Sequence, residues 1–291
     1  MEFQKAKNKL YQKHMKHILL LTDFSESAKN ATNYALQLFQ DQASCFYMLH
    51  IPQKSVYTTS DLMAAGTSSI YNSLVKKAKT KLDKYVKTLE SNSSNKKISF
   101  ETIVDYDVLT DSVNQIISSK KIDLIVMGTN GVTGAKEVVF GSNTINVIRK
   151  VDCATLVIPR GFQYKKPHIL FLPLDQTDSL NSKAFLKLLS YVKTFKTSLD
   201  VVRVIPQDEG TPEAKDQEHL KTNLKDTTFD YQLVKNKIIH EVVAQYLNKN
   251  KADLMALLVQ KETAFERFLT ASDTKKISDD LKVPLFIFHS H

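Results

Sequence analysis

Four of the chain's seven glycines, Gly128, Gly131, Gly134 and Gly141, fall inside VMGTNGVTGAKEVVFGSNT, which runs from Val126 to Thr144. Glycine brings geometry to a site: with no Cβ the backbone can touch a ligand, and φ > 0 is available. Gly128 and Gly131, three apart, predict a tight turn rich in outward N–H groups, which suits phosphate oxygens. Gly141-Ser142 then stands where a helix is expected to open. Free N–H groups and the positive end of the helix dipole attract anions there, and Ser142 is placed to cap the helix or donate its hydroxyl. Together these features predict a polyphosphate cradle. The plainer alternative is that the glycines shape a long surface loop and do nothing more. No Lys-Ser or Lys-Thr pair follows the last glycine, so this is not a P-loop. Nor is it a dinucleotide fingerprint, because the spacing differs and the loop follows the fourth expected strand.

Alternating strands and helices must position that loop. Short apolar runs predict strands at 17–23 (HILLLTD), 44–51, 97–105, 122–127 and 154–159. Apolar residues at helical spacing predict helices over 25–39, about 69–89, 111–119 and 143–150. This order implies parallel strands joined by helical crossovers, with helices on both faces of the sheet. Gly128 then sits at the carboxyl edge of a parallel strand, where open α/β sheets bind ligands.

The second half replays the first. HILFLPLD (168–175) echoes HILLLTD, VVRVIP (201–206) echoes YMLHIP, ADLMALL (252–258) echoes IDLIVMG, and VPLFIF (283–288) echoes CATLVI. From Asp123 and Asp253 onward the copies run at a constant offset of 130. The join falls in the polar stretch RGFQYKKP, so domains are expected at 15–161 and 167–291. Residues 207–226 read as a trimmed, partly mobile replacement for the first half's long loop and helix.

Composition excludes several classes. No apolar run approaches the roughly 20 residues that span a bilayer. Cys45 and Cys153 sit in or beside apolar segments and read as reduced core residues of a cytoplasmic protein. The net charge is +9, but the lysines are spread over amphipathic segments such as KKAKTKLDKYVK. That spread argues against nucleic-acid binding and leaves a general attraction to small polyanions. His50 reads as a packed strand histidine. His289 and His291 make a poor metal pair and read as a frayed terminus. Asp105 and Asp107 read as solvated loop acids. No catalytic or metal residue is assigned.

Gly128-x-x-Gly131, nine residues, then Gly141-Ser142 resembles the nucleotide-binding motif of the universal stress protein family. LLTDFSESAKNATNYAL (20–36) is similar to that family's first strand and helix. The resemblance covers the first half; the second resembles a diverged copy, giving a tandem protein. MKHILLLTD, from Met15, resembles a family start, so residues 1–14 read as an appended, solvated segment. The resemblance implies two Rossmann-like (adenine nucleotide alpha hydrolase-like) α/β domains, each with a five-stranded parallel sheet flanked by helices, arranged as a pseudo-dimer. It further implies pairing of the two last strands, TLVIP and LFIFH.

The resemblance also implies ATP, or AMP or ADP in its place, in the first half; Mg2+ beside it is left open. Asp23 matches the position that meets ribose and adenine, its alternative being a plain helix cap. Ile51 matches the position whose backbone reads the adenine edge, Met127 lines base or ribose, and Thr22 and Asn143 complete the implied contacts with Gly128, Gly131, Gly141 and Ser142. Strand-end packing remains the alternative for Ile51, and core packing for Met127. Three functions stay open: a nucleotide-binding stress regulator, an interaction module that has lost binding, and a slow ATP-hydrolysing or phosphate-transferring enzyme. Homodimerisation and an unnamed protein partner are left open as well. The second half is expected to bind no nucleotide. At the offset of 130, Gly128 becomes Leu258, Gly131 becomes Lys261, Gly141 becomes Ala271 and Asn143 becomes Asp273. Asp175, standing where Asp23 stands, is expected to cap the helix that follows it.

Overall fold

The apolar runs of the sequence become strands, most of them buried along most of their length. The computed structural model describes residues 15–52, 67–93, 95, 97–129, 140–205, 212–249, 251–259 and 283–289, with backbone alone for 67–74. The chain divides into two units, 1–127 and 128–291. Within each, strands and helices alternate in a parallel-dominated, Rossmann-like α/β arrangement.

In the first unit the strands are β1 (Lys16–Leu21), β2 (Ser44–His50), β3 (Ile98–Val104) and β4 (Leu124–Gly128, whose last residue falls in the second unit). They lie in the order β3-β2-β1-β4, and every measured pair is parallel. Central β1 is apolar without alternation, and Ile18, Leu19 and Leu20 are all buried. That is the signature of a strand covered on both faces. The helices are α1 (Glu26–Leu38), α2 (Thr67–Asn92) and α3 (Leu109–Lys120). Ser25 starts α1: its Oγ accepts from the Ala28 N–H at 3.2 Å. Ala28, Ala31, Ala35 and Leu38 form the buried stripe of α1, spaced three and four apart. Lys121 ends α3 in the left-handed conformation, with its N–H on the Ile117 carbonyl.

The second unit opens with α4 (Ser142–Lys150) and β5 (Thr155–Ile158). The elements β6 (Ile169–Leu174), α5 (Lys183–Phe195), β7 (Ser198–Ile205), α6 (Glu213–Asn223), β8 (Phe229–Lys235), α7 (Ile239–Lys249), β9 (Leu254–Val259) and β10 (Leu285–His289) follow. The strand order is β5-β10-β9-β6-β7-β8. Strand β10 is parallel to β9 and antiparallel to β5, with Phe286 opposite Leu156. The expected pairing of the two last strands is therefore present. It satisfies backbone groups that an open edge would expose. Among the described residues each half has five strands, and β8-β7-β6-β9 repeats the order β3-β2-β1-β4. Among the described residues no helix is long and apolar enough to cross a membrane.

The repeat extends to individual bonds. Asp123, just before β4, accepts the His17 N–H at 2.9 Å on Oδ2, and its own N–H goes to the His17 carbonyl at 2.8 Å. Asp253, just before β9, accepts the His168 and Ile169 N–H groups at 2.8 and 3.1 Å, and its N–H goes to the Ile169 carbonyl at 3.0 Å. A carboxylate thus staples the start of the central strand in both halves.

Residues 213–223, within the stretch 207–226 expected to be trimmed, form a helix shorter than α2, and β8 follows it. Two expectations need correction. His289 is no frayed end: it closes β10, and its Nε2 donates to the Ile148 carbonyl at 2.7 Å. The match of VVRVIP to YMLHIP is one residue out. Ile18 pairs with Phe46 and Leu124, while Leu170 pairs with Leu199 and Leu254. This register sets Arg203, opposite Leu174, in the place of His50 and not of Leu49. Hydrogen-bond ladders fix register, and similar apolar strings match equally well one residue apart.

Candidate functional site

The carboxyl ends of the adjacent strands β2, β1 and β4 carry Ile51, then Thr22 with Asp23, then Met127. The Thr22 N–H donates to the Leu49 carbonyl at 2.9 Å, carrying the ladder one residue past β1. Thr22 is buried, and its Oγ1 accepts the Phe24 N–H at 3.0 Å. Asp23 is exposed, and its Oδ1 accepts the Ser25 N–H at 2.9 Å. The helix cap is Ser25, so Asp23 is not the cap of α1. Ile51 is half-buried and Met127 is buried.

His50 shares this edge. Its Nδ1 donates to the Thr22 carbonyl at 2.8 Å. A carbonyl only accepts, so Nδ1 carries the proton, and in the neutral ring Nε2 is an acceptor. Burial lowers its pKa. The bond to the Thr22 carbonyl opposes that, the charge of Lys81 adds to the lowering, and Asp23 works against it. The ring packs at 4.5 Å from that of Phe24, so the reading as a packed strand histidine holds.

The predicted phosphate end is Gly128, the last residue of β4, and the opening of α4. Gly141 is the N-cap, with φ −64° and ψ 157°. This is ordinary extended backbone, so glycine's contribution here is its missing Cβ. No side chain caps α4. Ser142 is the first residue of the helix and not its cap, and both Ser142 and Asn143 are exposed. Gly131, with Asn130, Thr133 and Gly134, lies outside the described residues, as do Lys261, Ala271 and Asp273.

Asp105 spends its acceptors locally. Its Oδ1 takes the Tyr106 and Asp107 N–H groups at 2.7 and 3.3 Å. Burial pushes its pKa up, but the nearby Ser112 hydroxyl and these two amides outweigh it and hold the carboxyl below its usual range. Cys45 and Cys153 form no disulfide, as expected of reduced residues.

At the matching edge of the second half, Asp175 Oδ1 accepts the Thr177 N–H and hydroxyl, both at 2.7 Å. The helix cap there is Ser182, so Asp175 does not cap α5 as expected. Arg203 fills this edge, only 2% exposed. Its Nη1 donates to the Asp175 and Asp178 carbonyls at 2.5 and 2.8 Å. Nε and Nη2 grip Asp216 of α6 at 2.8 and 3.0 Å. The Tyr231 hydroxyl of β8 also donates to Asp216, at 2.9 Å. Burial, and then the bond to Asp216, raise the Tyr231 pKa. Sequence reading missed this cluster. The signal was present: an arginine inside the apolar run VVRVIP demands a buried partner. The ring contacts of Phe24 with His50 and Lys81 were missed as well, and no periodicity announces them.

A family model for the universal stress protein family matches residues 14–159. A universal stress protein of Methanocaldococcus jannaschii is 28% identical over 158 residues, covering 50% of this chain and 95% of that protein. The crystal structure of a universal stress protein from Archaeoglobus fulgidus matches with a TM-score of 0.72 at 14% identity, over 94% of this chain and 98% of that one. The cytoplasmic domain of a prokaryotic cation chloride cotransporter matches with a TM-score of 0.54 at 8% identity, over 94% of this chain and 95% of that one. Both structural likenesses concern fold alone, and such folds serve unrelated tasks. With its two repeated α/β halves and the family model spanning the first, the chain belongs to the universal stress protein family.

Proposed function

We propose that the chain is a cytoplasmic stress-response regulator that binds one adenine nucleotide, ATP before ADP or AMP, in its first half. The domains are 15–161, which binds, and 167–291, which serves as its structural partner. In this reading Thr22, Asp23, Ile51 and Met127 meet the base and ribose. Gly128, Gly131, Gly141, Ser142 and Asn143 meet the phosphates through backbone N–H groups and a helix start. The observation that carries the reading is the contrast between matching strand ends. In the first half Asp23 is exposed beside a half-buried histidine, whereas in the second the same edge is filled by the buried Arg203. Ligands of open α/β sheets bind at the carboxyl ends of strands, so exposed polar groups there favour a site. Mass spectrometry of small molecules released from the denatured protein tests this. An adenine nucleotide near one per chain is expected. Protein that releases none, and shows no heat on titration with ATP, overturns the reading.

A further inference from the structure

Four non-glycine residues among those described have positive φ: Phe24 (65°), Lys121 (53°), Lys196 (54°) and Asn236 (58°). Three have routine reasons. Lys121 and Lys196 are the C-caps of α3 and α5, where a left-handed residue commonly ends a helix. Asn236 is a residue type that tolerates this region. Phe24 ends no helix and has a bulky ring. It lies between Asp23 and Ser25, the residues that link β1 to α1. Uncommon backbone conformations of this kind persist only where surrounding structure imposes them, and they cluster at functional sites.

The surroundings are visible. The Phe24 ring centroid lies 4.5 Å from that of His50 and 6.1 Å from that of Tyr85. Lys81 Nζ of α2 stands 3.9 Å above the ring centroid, within cation–π range. On one side the Phe24 N–H is tied to Thr22 Oγ1 at 3.0 Å. On the other, the Ser25 N–H reaches back to Asp23 Oδ1 at 2.9 Å. Asp175 makes the same bond to the Thr177 N–H without a left-handed residue between them, so what φ at Phe24 sets is the hand of the turn and with it the direction of the carboxylate. If Phe24 relaxed to a right-handed φ, the Asp23 carboxylate would meet the Ser25 amide in a turn of the other hand and point in another direction.

We infer that Phe24 is a positioning residue for nucleotide binding: its left-handed backbone aims the Asp23 carboxylate at the base and ribose, and Lys81 and His50 hold the ring that keeps it there. The inference rests on the proposed nucleotide site. It goes beyond that reading by giving a role to Phe24, and through Lys81 to α2, neither of which the motif includes. His50 carries the electrostatic trace of the same cluster, since both Lys81 and Asp23 act on its ionisation. The second half lacks the device. Asp175 is followed by the exposed Gln176, which is not among the left-handed residues.

The test is titration calorimetry on the full chain with adenosine, ATP and inorganic tripolyphosphate as probes. Asp23→Ala and Phe24→Ala are each expected to weaken adenosine and ATP by about ten- to a hundredfold, the scale of a hydrogen bond to a charged group. Neither should change tripolyphosphate, which a general loss of structure would weaken. The double variant should bind no more weakly than Asp23→Ala alone, because both changes remove the same contact. Phe24→Tyr, which keeps the ring, and Lys81→Arg, which keeps the cation, should restore affinity; Lys81→Met should not. If Phe24→Ala proves poorly folded, Lys81→Met carries the same comparison with Phe24 in place. Losses that add in the double variant overturn the inference while leaving the site standing, as does a normal affinity in both Phe24→Ala and Lys81→Met. Unchanged affinity in Asp23→Ala overturns the site reading, and the inference falls with it.

Discussion

At the ends of their second strands the two halves have made opposite choices from a shared frame. In both, a helix carboxylate accepts a hydroxyl from the third strand at the same register. Asp83 of α2 takes the Thr102 hydroxyl at 2.5 Å, and Asp216 of α6 takes the Tyr231 hydroxyl at 2.9 Å. In both, an aspartate at the end of the first strand folds back on the amide two residues on, Asp23 on Ser25 and Asp175 on Thr177. The difference is the residue on the second strand. His50 makes one bond to the preceding strand's carbonyl and remains half-buried. Arg203 reaches two carbonyls and both oxygens of Asp216 and is fully buried. In the first half Asp83 is paired by Lys79 from its own helix, at 3.3 Å and partly exposed. The same frame thus supports a polar, accessible edge or a closed one. One side chain, joined by its helix partner, decides which.

Breaking the closed edge should have the largest effect. Arg203→Ala leaves Asp216 buried without its partner. Removing one member of a buried pair costs about 3–5 kcal/mol, because the remaining charge is uncompensated. Urea denaturation should show that loss for Arg203→Ala and for Asp216→Ala alike. The double variant should be far less destabilised than the sum of the two. Replacing Lys79 by Ala in the first half should cost under about 1 kcal/mol, as for exposed pairs. Similar losses on both sides would mean that the two edges do not differ as closed and open.

Binding supplies the second contrast. Asp23→Ala should weaken ATP by about 1.5–3 kcal/mol, the worth of hydrogen bonds to a charged group. Asp175→Ala should leave ATP affinity unchanged, although the two aspartates hold matching places and make similar turns. Calorimetric stoichiometry should stay near one throughout. A second equivalent of ATP that Asp175→Ala abolishes would break the comparison.

How much of this was legible in the sequence follows from how each signal is encoded. The offset of 130 between Asp123 and Asp253 survives in the structure, because both residues staple the start of a central strand and the apolar runs after them are unbroken. Phe229–Lys235 escaped notice because β8 is an edge strand whose side chains are half-buried or exposed, so it presents no continuous apolar run. Helix α6 has buried residues only at Asp216 and Leu220, too few for a periodic stripe to show. The register of β7 was misread because VVRVIP and YMLHIP share a terminal Ile-Pro, while the ladders align Arg203 with the position of His50. At the candidate site, motif spacing located the strand end that carries Asp23. The partners of Phe24 come from α2 and β2, far away in sequence, and only tertiary packing brings them together.

The staples at Asp123 and Asp253 offer a smaller contrast, one that depends on pH. Asp253 also takes an ion pair from Lys165 at 2.6 Å. Burial pushes its pKa up, but the bonds from Lys165 and from the His168 and Ile169 amides outweigh it and hold the carboxyl below its usual value. A depressed carboxylate stabilises the fold fully above its unfolded value, about 3.9, and that contribution is lost as pH falls through the lower folded value. Asp253→Asn should therefore cost about 1–2 kcal/mol at pH 7. Below about pH 4 the variant and the parent should converge in stability. A gap of constant size down to pH 2 would mean that the charge of Asp253 contributes nothing.

The smallest expected effect concerns His50, the counterpart of Arg203. His50→Gln keeps an N–H donor for the Thr22 carbonyl but loses the imidazole packed on Phe24. Aromatic pairs of this kind contribute about 0.5–1.5 kcal/mol, and the first half should lose no more than that near pH 7.5. Its dependence on pH is the sharper readout. Burial holds the folded pKa of His50 below the ordinary value, so the folded state resists the proton that the unfolded chain accepts. The stability this gives is complete above about pH 6.5 and is lost as pH falls towards the folded value. His50→Gln carries no such proton, so between about pH 7.5 and 5 its stability should fall less steeply than that of the parent. If His50→Gln and the parent lose stability in parallel over this interval, His50 is not held neutral by its surroundings.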